Sequence, residues 1–415
     1  MPRSASIGSP DVSRTTDDSS DSYPHLGRWL HALVLVAITF ICLAQSPGVT
    51  TFDTKLDLTQ DPGSFMRQTL TVWTPDINMG SLQNQAYGYL FPTGPYYLLG
   101  DLIGAPMWLW QRLWSLLILV IAFEGMRLVL RALGGSTPVV AIVAASSYAF
   151  APRVLGTVGV LSGQTLPGAV LPWTVLPLEL AHQGRLGWRR AVVLSAATVP
   201  FMGGVNATEV MLVLLLPGLL VLMSGGSWRS RWRRTAAWSG LIILVCIWWI
   251  GPLLVLGTYA PPFLDYVESA RNTTAPVGFL QSVQGTTHWL SYLDPVDSDW
   301  YTAFRLSHEP VFLVASATVG ICGLVGLTLR RTPLRLPLAV AAFGALAFLT
   351  LGHGGVSGSP LQSTFLSFLD GGGAPFRNIH KVDPLVRFAV AVGLTSTITV
   401  AAPRVRRLLG WDQHP

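Results

Sequence analysis

Apolar residues gather into ten runs, at roughly 29–46, 107–130, 137–152, 168–182, 190–204, 207–223, 236–256, 310–329, 336–352 and 385–402. A helix needs about 17–25 such residues to cross the hydrocarbon core of a bilayer. The pattern predicts an all-α, polytopic membrane protein with about ten transmembrane helices. The run holding Pro167, Pro172 and Pro177 is expected to be broken. The first run is longer than the apolar core of a signal peptide and many others follow it, so it reads as a helix. Residues 1–26 are rich in Ser, Thr, Asp and Pro without apolar period and read as a disordered cytosolic tail. A transmembrane domain over 27–403 and a cytosolic basic tail over 404–415 complete the expected organisation.

Composition agrees with the pattern. Half of the 415 residues are hydrophobic and only 12% are charged, against about 25% charged in a soluble domain. Disorder, collagen, coiled coil and a disulfide scaffold are excluded. Cys42, Cys246 and Cys322 each sit inside an apolar run, without metal-ligand spacing.

Charge placement sets the orientation. Arg127/Arg131, Arg185/Arg189/Arg190, Arg229/Arg231/Arg233/Arg234, Arg330/Arg331/Arg335 and Arg404/Arg406/Arg407 fall at alternate short connections. By the positive-inside rule these face the cytoplasm together with both termini, which places the chain in the plasma membrane as a multi-pass protein. The net charge of +6 is then a topology signal, and nucleic acid is not an expected partner. Of 21 Asp and Glu, 14 lie in outer connections or at outer helix ends. The outer connections 47–106, 257–309 and 353–384 are also the long ones, so the active face is expected to be external.

Several outer constellations could carry chemistry. Asp53, Lys55 and Asp57 alternate after the first run, and in an extended chain they share a face. A carboxylate there can take a proton from a sugar hydroxyl or bind a cation, and the lysine can meet a phosphate. An ordinary solvated ion pair is the competing reading. Asp61-Pro62 opens a short amphipathic helix, with an Asp N-cap and Pro in the first turn. The stretch 83–95 supplies amides and rings suited to carbohydrate, among them Gln83, Asn84 and Tyr87, although any ordered interfacial loop looks similar. Glu209 begins an outer helix end, where a helix-capping carboxylate is the plainer reading. Arg377, Asn378, His380 and Lys381 cluster before the last run. The two lysines of the chain, Lys55 and Lys381, both fall on the outer side, against the topological bias. An anion such as phosphate would explain them.

The chain has no HExxH, P-loop, EF-hand loop or dinucleotide fingerprint. No cofactor is required by these residues. A divalent cation is compatible with the carboxylates, and its ligands are unknown.

Phe52-Asp53-Thr54-Lys55-Leu56-Asp57-Leu58, the stretch from Gln83 to Pro95, and Pro375 to Pro384 resemble the N-terminal membrane domain of the actinobacterial α-(1→3)-arabinofuranosyltransferase (AftD) family, of GT-C type architecture, over roughly 30–400. The resemblance implies a decaprenyl-phosphate arabinofuranose donor and an arabinan acceptor of the cell envelope. It implies Asp53 as catalytic base and Asp57 as a second acceptor contact or cation ligand. It places Lys55, Arg377, His380 and Lys381 near the donor phosphate. Members of the family are much longer, so a fragment, a split product or a short paralogue is expected. Another polyprenyl-phosphate sugar transferase of mannosyltransferase type, a transporter, and a non-catalytic assembly subunit are the alternatives. A transporter would place ionisable groups near mid-membrane and show internal repeats, and no repeat is evident.

Overall fold

The computed structural model describes residues 24–53, 55–75, 79–82, 85–260, 268–293, 301–355 and 358–408. Helix α1 (Pro24–Leu43) is followed by a connection holding α2 (Leu56–Gln60), α3 (Pro62–Thr69), the two-residue strands β1 (Trp73–Thr74) and β2 (Ser81–Leu82), and α4 (Thr93–Leu102). The strands are antiparallel, with Trp73 opposite Leu82. Then come α5 (Met107–Leu133), α6 (Pro138–Ala149), α7 (Pro152–Thr157), α8 (Ser162–His182), α9 (Trp188–Thr198), α10 (Ala207–Val213), α11 (Leu215–Leu222) and α12 (Trp228–Tyr259). The last third carries α13 (Ala270–Thr274), α14 (Phe279–Gln284), α15 (Tyr301–His308), α16 (Pro310–Thr328), α17 (Arg335–Thr350), α18 (Gln362–Asp370) and α19 (Asp383–Leu408).

Every apolar run lies on helix over most of its length. Among the described residues, five helical segments are long and apolar enough to cross a membrane: His25–Leu43, Met107–Leu133, Trp228–Tyr259, Pro310–Thr328 and Ile379–Arg404. The protein is therefore a multi-pass, all-α membrane protein. The spans divide by burial. The apolar windows of α5 and α19 are 56% buried, against 22% for α1, α12 and α16. The first pair forms the centre of the bundle. The other three present Leu33, Val36, Phe40, Leu244, Leu254 and Val314 outward, as lipid-facing helices do.

Two sequence expectations change. The proline-bearing run is one unbroken helix, α8, which starts six residues earlier at Ser162 and passes through Pro167, Pro172 and Pro177. Neighbouring helices and hydroxyls can re-satisfy backbone groups that proline frees, and Tyr148 Oη donates to Gly168 O at 2.5 Å. The tail boundaries also shift. Helix α1 already begins at Pro24, and α19 continues to Leu408. The rest of the expected tails lies outside the described residues.

Helices α16 and α19 pack with their backbones in close approach. A Cβ on Gly326 would sit 1.8 Å from Gly393 O, and one on Gly393 would sit 2.0 Å from Gly323 O. Small residues let helices in a membrane approach this closely. The contact fixes α19, whose N-terminal end carries the site.

Candidate active site

Helix α8 begins at the centre of a polar cluster. Its first turn leaves N–H groups without intrahelical partners. One of these, the Ser162 N–H, donates to Asp53 Oδ1. The Ser162 hydroxyl accepts from Trp114 Nε1 at 3.0 Å. Asp53 is 6% exposed, and its Oδ2 has no partner. Burial pushes its pKa up to about 6, partly opposed by the bonds from Ser162. Tyr97 of α4 is fully buried near enough to feel the Asp53 charge. An aspartate of this kind is ionised at neutral pH yet more basic than an exposed one, as a general base requires.

The same turn receives the far end of the chain. Gln164 Oε1 lies 3.1 Å from His380 Nε2. His380 stacks on His288 with ring centroids 3.9 Å apart. Burial, reinforced by the charges of Arg153 and Lys381, pushes His288 down to about 3, so it is neutral. Arg153 of α7 donates to Glu209 Oε1 at 2.6 Å. Glu209 follows the Asn206 cap of α10, whose Oδ1 accepts the Glu209 N–H at 3.3 Å. Lys381 lies within electrostatic reach of Glu209, Glu268 and Arg153. Asp53 Oδ2, Arg153 Nε, Glu209 Oε2 and His380 Nδ1 are all buried without a protein partner. Buried polar atoms are normally bonded, so the Arg153, Glu209 and His380 atoms, which share one electrostatic neighbourhood with Lys381, mark a place for a polar ligand or ordered water.

Other sequence candidates fall elsewhere. The chain is not extended through Asp53, Lys55 and Asp57. It turns into α2 directly after Lys55, and Asp57 sits exposed in the first helical turn. Helical geometry replaces the two-residue alternation, so the three side chains share no face. Burial lowers the Lys55 pKa, partly opposed by the Asp57 charge. Gln83 and Asn84 lie outside the described residues. Tyr87 is buried in a short 3₁₀ turn. Its neighbour Gly88 accepts from Gly204 N at 3.0 Å, and a Cβ on Gly88 would meet the Gly204 carbonyl carbon at 2.6 Å. That segment packs the connection before α4 against the connection before α10.

Arg377 is engaged by protein acceptors. It meets Asp370 at 3.2 Å and donates to Glu268 O at 2.5 Å and Leu369 O at 3.3 Å. Asn378 donates to the Glu268 carboxylate and accepts from Trp289 Nε1 at 3.0 Å. These two hold the 268–293 segment in place. The Lys381 ammonium, by contrast, has no ion pair or hydrogen bond among the described residues and can still take an anion.

A family model described as alpha-(1->3)-arabinofuranosyltransferase, N-terminal GT-C domain, matches residues 37–413. The chain belongs to this family. It is 39% identical over 367 residues to an alpha-(1->3)-arabinofuranosyltransferase of Mycolicibacterium smegmatis, covering 87% of this chain and 25% of that protein. A protein of the same name from Mycobacterium tuberculosis is 36% identical, covering 90% of this chain and 26% of the relative. Among solved structures, a single-particle cryo-EM structure of arabinofuranosyltransferase AftD from mycobacteria superposes with a TM-score of 0.72 at 34% identity, covering 90% of this chain and 24% of that one. The chain thus spans about a quarter of the length of the relatives it matches.

Sequence reasoning missed several members of this GT-C cluster: Arg153, Gln164, Glu268 and His288. A signal existed for Arg153. It follows the third apolar run on the expected outer side, against the same bias that singled out the lysines. Gln164, Glu268 and His288 carried no local signal, because only tertiary packing brings them to the first turn of α8. Among the described residues no group of three or more His, Cys, Asp or Glu side chains gathers as a metal site.

Proposed function

We propose that this chain is the membrane-embedded catalytic portion of an arabinofuranosyltransferase working on the outer face of the plasma membrane. Its donor is a decaprenyl-phosphate arabinofuranose, its acceptor is an arabinan, and the linkage formed is α-(1→3). The relatives' name supports the sugar and the linkage. The observation that carries the reading is Asp53, a buried carboxylate with one oxygen bound at the start of α8 and the other without a partner.

In this reading the acceptor hydroxyl gives its proton to Asp53 Oδ2. The freed electron pair forms the new bond at the anomeric carbon. The bond from that carbon to the phosphate oxygen breaks, and its pair leaves with the polyprenyl phosphate. One displacement inverts the anomeric centre. Lys381 and Arg153 face the negative charge that grows on the departing phosphate, the kind of fixed stabilisation that lowers such barriers. Glu209 holds Arg153 in place, and the neutral pair of His288 and His380 packs the wall behind it. The domain has about ten spans, with both termini in the cytoplasm.

The test is transfer of labelled arabinose from the synthetic lipid donor to a short arabinan by purified protein. Activity lost in Asp53→Asn, with donor binding retained, supports the reading. Turnover unchanged in a folded Asp53→Asn protein overturns it. Orientation is tested by single-cysteine labelling: a cysteine after Arg234 should be shielded from an impermeant reagent on intact cells, and one at Ser269 should react.

A further inference from the structure

Four arginines are buried among the described residues: Arg112, Arg153, Arg377 and Arg387. Three of them have a carboxylate, with Arg153 on Glu209 at 2.6 Å, Arg377 on Asp370 at 3.2 Å and Arg387 on Asp383 at 3.3 Å. Arg112 has none among the described residues. It is 5% exposed near the start of α5. Its Nη1 donates to Gln45 Oε1 at 3.0 Å and its Nη2 to Val49 O at 3.4 Å. Its Nε has no partner. A buried charge left on neutral acceptors is costly, and ionisable groups in membrane segments mark ligand paths.

Arg112 lines a cavity of about 320 Å³. The remaining walls come mostly from apolar side chains of four other helices, including Ile41 of α1, Leu155 of α7, Leu306 of α15 and Phe312 of α16. The polar end is pre-built. Gln111 exchanges two hydrogen bonds of 2.9 Å with the Thr51 backbone, and Thr51 Oγ1 donates to Gly159 O at 2.6 Å. These bonds hold the loop after α1 against the end of α7 without using Arg112.

We propose that this cavity binds an anionic amphiphile, a phosphate held by Arg112 with a hydrocarbon chain along the apolar walls. A planar guanidinium suits phosphate oxygens. Inorganic phosphate alone would leave the apolar walls unfilled, so a lipid phosphate fits better than the free ion. The volume falls within the range of small-molecule sites, about 300–1,000 Å³. The site is separate from the Lys381 cluster and holds whether or not the chain transfers a sugar.

The experiment measures binding of dodecyl phosphate to the purified protein in a neutral maltoside detergent, with inorganic phosphate and dodecanol as comparison probes. Dodecyl phosphate should bind saturably, and both comparison probes should bind far more weakly. Arg112→Gln should weaken it about tenfold or more, the usual effect of losing a charged hydrogen bond, and Arg112→Lys should retain part of the affinity. Gly159 lines the same cavity, and a Cβ there meets nothing within 4 Å. Gly159→Leu should therefore fill the space and weaken binding while leaving Arg112 intact, which covers the case of an Arg112 variant that does not fold. In a Lys381→Ala background, Arg112→Gln should still weaken dodecyl phosphate binding by the same factor. The proposal is overturned if the wild type does not bind dodecyl phosphate, if inorganic phosphate binds equally well, or if only Lys381→Ala weakens it.

Discussion

Arg153 reaches Glu209 at 2.6 Å, with both side chains sealed from solvent. Removing either partner leaves an uncompensated buried charge, which costs about 3–5 kcal/mol. Arg153→Ala and Glu209→Ala should each lower the thermal unfolding midpoint in detergent. Replacing both by Met removes the charges together and should restore much of the midpoint. Transfer activity should stay lost in the double variant, because the reading needs the Arg153 charge at the phosphate. A double variant as active as the wild type would reduce the pair to a structural one.

Asp53→Asn should separate stability from turnover. The Asp53 carboxyl is raised from 3.8 to about 6 in the fold, so the ionised form destabilises the folded state by something on the order of 3 kcal/mol. For a carboxyl raised this way, stability is fully present below about 4 and is lost as pH rises through about 6. The variant should thus unfold at a higher temperature than wild type at pH 7.5, and the gap should close on acidification to pH 4. Loss of a positioned base costs about 10²–10⁴ in rate, and donor affinity should barely change.

The pH profile of kcat/KM follows from the same group. Asp53 must be ionised to accept a proton, so activity should fall below an acid limb near pH 6, about tenfold for each further pH unit. His288, pushed down to about 3, stays neutral across this range and does not contribute. An acid limb well below pH 6 would remove Asp53 from the role of base.

Lys381 and Arg377 are close in sequence but should fail differently. Lys381→Ala removes the cation proposed for the donor phosphate. Donor binding should weaken about 10- to 150-fold, from a charged hydrogen bond of about 1.5–3 kcal/mol, with the unfolding midpoint nearly unchanged. Arg377→Ala breaks the contacts to Asp370 and Glu268 and should lower the midpoint. Donor titration and thermal unfolding of the two variants, run side by side, check the contrast.

Much of the helical pattern was readable because apolar runs are a local property. The cap at Asp61 was readable for the same reason: its side chain accepts the Ser64 N–H at 2.9 Å, and Pro62 opens the helix. Asp53 stood out as a carboxylate just after the first run. What it does was not readable, because Ser162, 109 residues away, decides its burial. Asp57 was misplaced because a period of two was assumed where the backbone coils into α2. Arg377 looked like an anion ligand until its acceptors, on segments about 100 residues upstream and in α18, were known.

The first turn of α8 binds Asp53 from 109 residues upstream and His380 from 216 residues downstream. Insertion into a membrane proceeds from the N-terminus as the chain is made, so the two halves of this cluster meet only after α19 has emerged and docked. Until then the nascent protein has Asp53 and Arg153 without Lys381. On the proposed reading, competence for sugar transfer would therefore arise only once α19 has docked, and a chain stalled before α19 would hold the base in the membrane without the residues that complete the cluster.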